Sequence, residues 1–156
     1  MRFRVLLSAA VLVTTGAGSA LAQGGQAPQA TLIEAVQLGN KAAAVKLIYQ
    51  RADVKATSVD GTTALHWAAH NGDADLVDRL IKAGAAVNAK NEFGSTPLIE
   101  AAMTGSATAI DSLLKAGADV NATYVDGETP LMIVARGANV KAATLLLDHG
   151  AKVNAV

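Results

Sequence analysis

The chain has no cysteine, and that one absence removes several kinds of chemistry. Disulfides, thiolate nucleophiles, cysteine-ligated zinc, iron–sulfur clusters, covalently attached haem and a bacterial lipid anchor all need the thiol. Aromatic residues are scarce as well, at 3% of a chain that is 51% apolar, so a core has to come from Ala, Leu, Val and Ile. Such side chains let helices approach closely and pack in layers, whereas a sheet sandwich draws on β-branched and aromatic residues. Neither sign of charge is in excess: 13 basic residues face 13 acidic ones, and 11 basic residues remain once Arg2 and Arg4 are set aside with the leader described next. Without clustered Lys and Arg there is no footing for phosphate neutralisation, so nucleic acid and anionic membrane surfaces are not expected partners.

Long hydrophobic runs are missing too. The apolar stretch Val5 to Val13 is shorter than the roughly 20 residues that a membrane-spanning helix requires. It sits between a basic start, Met1-Arg2-Phe3-Arg4, and a small-residue A-x-A site, Ala20-Leu21-Ala22. Those three parts in that order read as a secretory signal over 1–22, cleaved before Gln23. The expected mature chain is exported to a periplasm-like compartment and carries no membrane span. A flexible lead-in of Gly, Gln and Pro covers 23–29, and one domain fills 30–156.

What the domain does contain is a period. Thr63-Ala64-Leu65-His66 recurs as Thr96-Pro97-Leu98-Ile99 and again as Thr129-Pro130-Leu131-Met132, each step being 33 residues. A second signature keeps the same step, with Gly84-Ala85-Ala86-Val87-Asn88-Ala89 followed by Gly117-Ala118-Asp119-Val120-Asn121-Ala122 and Gly150-Ala151-Lys152-Val153-Asn154-Ala155. Two unrelated motifs in one register mark an internal repeat. A degenerate copy lies upstream, where Leu32, Ala35 and Gly39 precede Leu65, Ala68 and Gly72 by one period.

The motifs explain themselves as helix punctuation. A threonine hydroxyl can cap free N–H groups, Pro97 and Pro130 fall where a helix has no hydrogen bond to lose, and Gly72 and Gly105 can take the left-handed conformation that ends a helix. Leu76, Val77, Leu80 and Ile81 then space one buried face of a second helix, as do Ala109, Ile110, Leu113 and Leu114. Two departures stand out. Arg51 occupies a glycine position, predicting a different end for that helix, and Gly137 comes one place early, with Ala138 where glycine belongs. The apolar Met132, Ile133, Val134, Leu145, Leu146 and Leu147 of the last copy are read as mostly inward-facing, with a self-association edge as the alternative.

These residues resemble the ankyrin-repeat family over nearly all of 30–156. The resemblance implies an all-α solenoid of four helix-turn-helix units with short β-hairpin loops, at about 30–57, 58–90, 91–123 and 124–156. It implies a protein–protein interaction module without catalytic residues, cofactor or metal, acting as a monomer on an unidentified protein partner. In that architecture hairpin tips and first helices line a concave groove. Carried over position by position, the contact candidates at the tips are Val59, Asp60, Thr62, Glu92, Phe93, Ser95, Val125, Asp126 and Glu128, flanked by Lys90 and Tyr124. Along the helices they are Trp67, His70, Asn71, Glu100, Met103, Thr104 and Arg136. Trp, Phe, Tyr, Met and Arg in such a set match the composition of binding hot spots, although Trp67 can equally be packing.

Narrower versions of the binding reading are an inhibitor or immunity protein and a protective factor for an exported enzyme. The rival class is a metal-dependent hydrolase centred on His66 and His70, which stand four residues apart. No Glu lies between them in an H-E-x-x-H pattern and no third ligand is evident. The resemblance gives His66 a structural role at the adjoining turns. His149 precedes Gly150, where a cation suits a helix C-terminus.

Overall fold

The structure, a computed structural model, describes residues 31–153. The expected leader over 1–22, the lead-in over 23–29 and Asn154 lie outside the described residues.

Eight short helices follow one another in four pairs: α1 (Leu32–Gln37) with α2 (Lys41–Tyr49), α3 (Ala64–His70) with α4 (Ala74–Lys82), α5 (Pro97–Thr104) with α6 (Ala107–Lys115), and α7 (Pro130–Arg136) with α8 (Val140–Asp148). Helices this short are marginal alone, and packing supplies their stability. The first helices α1, α3, α5 and α7 stack on one another as one layer, and α2, α4, α6 and α8 as the second. No helix among the described residues is long and apolar enough to cross a membrane.

The repeat is visible as columns in the core. Ala35, Ala68, Ala101 and Val134 lie one period apart and all are buried, as are Leu80, Leu113 and Leu146. Alanine at the crossing points lets successive helices of the first layer approach closely, while the leucines fill the space between layers. Capping is periodic as well. Thr63, Thr96 and Thr129 accept hydrogen bonds from the third residue of their helices, and Pro97 and Pro130 open theirs. Thr31 does the same for α1 one register position late, in a capping box with Glu34. The second helices are capped by Asn40, Asp73, Ser106 and Asn139, again one period apart.

The two departures in the glycine pattern resolve differently from expectation. Arg51 adopts the left-handed conformation itself (φ 59°) and closes α2 with the same pair of backbone hydrogen bonds that Gly84 and Ala85 make after α4. The helix ends in the common way, with a costlier residue. Likewise Ala138 (φ 52°), not Gly137 (φ −79°), turns left-handed after α7. The register set by packing is kept, and the displaced glycine does not capture the turn.

The expected β-hairpins shrink to single turns. Each turn is closed across its mouth, by Ser58 N–H to the Thr62 carbonyl (2.9 Å), Asn91 N–H to that of Ser95 (3.1 Å) and Tyr124 N–H to that of Glu128 (2.9 Å). Gly61, Gly94 and Gly127 hold the left-handed position at their tips. The arms are too short for a ladder, and one isolated bridge, Thr57 to Thr63, is the sole strand-like pairing among the described residues. In the last pair Val134 and Leu146 are buried and Leu131, Met132, Ile133 and Leu145 partly so, while Leu147 is exposed.

Candidate functional site

The turns and the first-layer helices share one side of the stack. At the junction of the second and third pairs they enclose an open hollow of about 260 Å³, lined by Asp60, Thr62, His66, Trp67, His70, Asn91, Phe93 and Glu100. Five of these, Asp60, Trp67, His70, Phe93 and Glu100, are contact candidates with side chains free to face it.

Local chemistry fixes each wall. The Asp60 carboxylate accepts from the hydroxyls of Ser58 and Thr62 and from the Thr62 N–H (3.2 Å). Those donors, led by the Ser58 hydroxyl, hold its pKa below the usual carboxylate value. Glu100, projecting from the first turn of α5, accepts from the Ser95 hydroxyl at 2.6 Å and meets His70 Nδ1 at 3.0 Å. Trp67 is half-buried against the core and stands edge-on to His70, with ring centroids 5.8 Å apart and planes at 79°. Phe93 is 55% exposed at its turn tip. An aromatic ring in that place contributes nothing to the core.

His66 sits beneath the hollow, buried, with both ring nitrogens occupied. Nδ1 accepts from the Thr63 N–H (3.1 Å) and lies 2.9 Å from the Thr63 hydroxyl, while Nε2 donates to the Ser95 carbonyl (3.1 Å). Burial pushes its pKa down, against the smaller opposing effects of the Ser95 carbonyl and the Glu100 carboxylate. The ring is thereby a neutral brace between two successive turns. Among the described residues no group of three His, Asp or Glu is arranged to hold a metal ion. His149 caps α8, its Nδ1 2.9 Å from the Leu145 carbonyl.

Other candidates are placed elsewhere. Thr62 and Ser95 are buried inside their turns, where their side chains position Asp60 and Glu100, so they shape the groove instead of facing a partner. Asn71 directs its amide at the Val36 carbonyl (2.8 Å), joining the first pair to the second. Thr104 returns its hydroxyl to the carbonyls of its own helix. Val59 lines a separate hollow at the N-terminal end of the stack. Met103, Glu128 and Arg136 line a shallow depression further along, with Arg136 ion-paired to Glu128. Lys90, Glu92, Val125 and Asp126 are exposed around the turns, and Tyr124 is half-buried at the base of the last one. Asn91 was not among the candidates, yet it lines the hollow and donates to Thr62 Oγ1 (3.2 Å).

Comparison with protein families supplies the identity of the fold. A model described as ankyrin repeats (3 copies) matches residues 32–124, and a second, described as ankyrin repeats (many copies), matches 108–147. The chain belongs to the ankyrin-repeat family. Ankyrin repeats are generally protein–protein interaction modules and typically non-catalytic. No curated protein is similar enough to the chain to be matched with it.

Proposed function

We propose that this ankyrin-repeat chain is an exported, monomeric, non-catalytic module that binds a protein partner along its turns and first-layer helices. The observation that carries the reading is Phe93: a ring exposed at a turn tip, beside Trp67 and two fixed carboxylates, is surface that folding does not require. Exposed aromatic side chains on a rigid scaffold are the usual anchors of protein interfaces. The neutral brace at His66 leaves the imidazole no nitrogen for a metal, which weakens the hydrolase alternative. Export rests on the sequence of residues 1–22.

A photo-crosslinking residue at Phe93 tests the site directly. In the exporting compartment it is expected to capture a discrete protein, while the same probe at Asp78, exposed on α4, captures none. Equal capture at both positions, or none at Phe93, would defeat the groove reading. The mass of the chain recovered from that compartment is expected to begin at Gln23, and light scattering is expected to give a mass independent of concentration.

A further inference from the structure

The hollow between the second and third pairs has a size, a charge and a wall chemistry, and together they select what enters. Its volume of about 260 Å³ falls below the roughly 300–1,000 Å³ of small-molecule sites, so it suits one side chain better than a whole ligand. Two carboxylates, Asp60 and Glu100, line it, no Lys or Arg does, and the basic side chain present, His70, already meets Glu100 Oε2 at 3.0 Å. The hydroxyls of Ser58 and Thr62 hold Asp60, and the Ser95 hydroxyl and His70 Nδ1 hold Glu100, so little ordering is left for binding to accomplish. A carboxylate has about four acceptor positions: both on Asp60 Oδ1 are taken, whereas Glu100 keeps one on each oxygen, as a forked donor requires.

An apolar side chain would strip water from Asp60 and Glu100 without replacing it, and an anionic one would be repelled. A cation is favoured by the carboxylates and also by the aromatic rings, whose faces attract positive charge. The rings of Trp67 and Phe93 further distinguish between cations. A planar guanidinium stacks on such faces while donating two parallel hydrogen bonds to a carboxylate, which a compact ammonium cannot do.

We propose that this hollow is an anchor pocket for an arginine side chain of the protein partner. The inference rests on the groove reading above and adds the chemistry of what the groove recognises: a basic segment whose arginine enters between Trp67 and Phe93 and pairs with Glu100, with the Asp60 charge nearby adding to the attraction.

The experiment has two arms. In the first, the nitrogen-15-labelled full chain is titrated with N-acetyl-arginine-methylamide. The indole N–H resonance of Trp67, the chain's one tryptophan, serves as the reporter. A saturable shift is expected. It should be lost in Glu100→Gln and in Phe93→Ala, a change at an exposed ring that does not threaten folding. The lysine analogue should shift the indole less, and the neutral isostere N-acetyl-citrulline-methylamide should not shift it. An equal response to citrulline, or no response to arginine, overturns the arginine pocket.

In the second arm, a displayed random-peptide library is panned against the same chain. Peptides that compete at the groove are expected to share an arginine whose replacement by citrulline weakens binding at least about tenfold. Groove-binding peptides without a common basic residue would overturn this inference and leave the groove reading intact. A library yielding no groove binder would overturn both.

Discussion

The junction between the second and third pairs differs from the one between the third and fourth in its turns, while their opposite sides are alike. On the side away from the groove, Asn88 donates to the Gly117 carbonyl (3.1 Å) and accepts from the Asp119 N–H (2.8 Å). Asn121 repeats both bonds one period later, with Gly150 and Lys152. Between the turns the repetition fails. The first junction has His66 bonded to the Ser95 carbonyl, Asn91 to Thr62, and the Glu92 N–H to the Asp60 carbonyl (2.9 Å). The second has Ile99, Tyr124 and Val125 in the places of His66, Asn91 and Glu92, and Val125 packs over Gly94 instead. Polar bracing is concentrated where the candidate pocket lies. The other junction keeps its polar contacts away from the turns, at Asn121 and Asn139, so the brace serves the geometry of the turns more than the existence of the solenoid.

Replacing His66 by Ile makes the first junction like the second, and it is the largest effect expected. The substitution leaves the buried Thr63 N–H without a partner and takes one of two donors from the Ser95 carbonyl, which keeps the Asn91 N–H. An unpartnered buried N–H costs about 1–3 kcal/mol and the lost bond to Ser95 about 1 kcal/mol, so a loss of about 3 kcal/mol in urea unfolding is expected. Ile99→Val, at the equivalent position of the other junction, should cost only about 1 kcal/mol. Similar losses from both would mean that the polar brace adds nothing to ordinary packing.

Binding should separate the two junctions next. Phe93→Ala is expected to weaken partner binding by about 2 kcal/mol, roughly thirtyfold, mainly through faster dissociation. Val125→Ala, at an exposed residue of the next turn, should change it less than about threefold. Surface plasmon resonance with the crosslinked partner reads both, and equal effects would place the contact outside the hollow.

The neutral brace also predicts how stability depends on pH. Burial holds the folded-state pKa of His66 below its unfolded value of 6.5. The unfolded chain therefore takes up a proton that the folded chain refuses. Stability from this source is complete above that value and is lost as pH falls through it, by up to about 1.4 kcal/mol per pH unit. Ile99 carries no such group, so His66→Ile should flatten the fall in urea midpoint between about pH 7 and about pH 5.5. An unchanged slope in the variant would assign the pH dependence to other groups.

How much of this was legible in the sequence follows from what a repeat can and cannot encode. Leu80, Leu113 and Leu146 were readable as core because burial in a solenoid recurs with the period. The caps Asn40, Asp73, Ser106 and Asn139 carried the same period in a shared chemistry, side chains that cap helices, but they do not share a residue type and so escaped notice. The groove was only partly legible. Family positions pointed to Trp67, His70, Phe93 and Glu100, yet they could not show that Thr62 and Ser95 turn inward or that Asn71 spans to Val36. Those outcomes depend on which hydrogen-bond partners a neighbouring repeat presents, and that is a property of three-dimensional contact.

The smallest predicted effect concerns the end of the stack, where the displaced glycine sits. The glycine that the turn after α7 calls for is present at 137, where φ is negative, and Ala138 bears the left-handed conformation. A left-handed non-glycine residue costs roughly 1 kcal/mol, and exchanging the two residues leaves the glycine content, and with it the entropy of the unfolded chain, unchanged. A Cβ at position 137 would meet the Val134 carbonyl oxygen at 3.6 Å, an ordinary contact. Exchanging the two residues, Gly137→Ala with Ala138→Gly, should therefore stabilise the protein by about 1 kcal/mol and raise the urea midpoint. The same exchange is not available after α5, where Gly105 itself is left-handed and a Cβ would lie 2.8 Å from Asn139 Nδ2. There Gly105→Ala should destabilise, because it would strain the backbone and displace the amide that donates to the Gly105 carbonyl. A stabilising Gly105→Ala, or a neutral exchange at 137 and 138, would show that the last turn relaxes freely and that stacking does not hold its register.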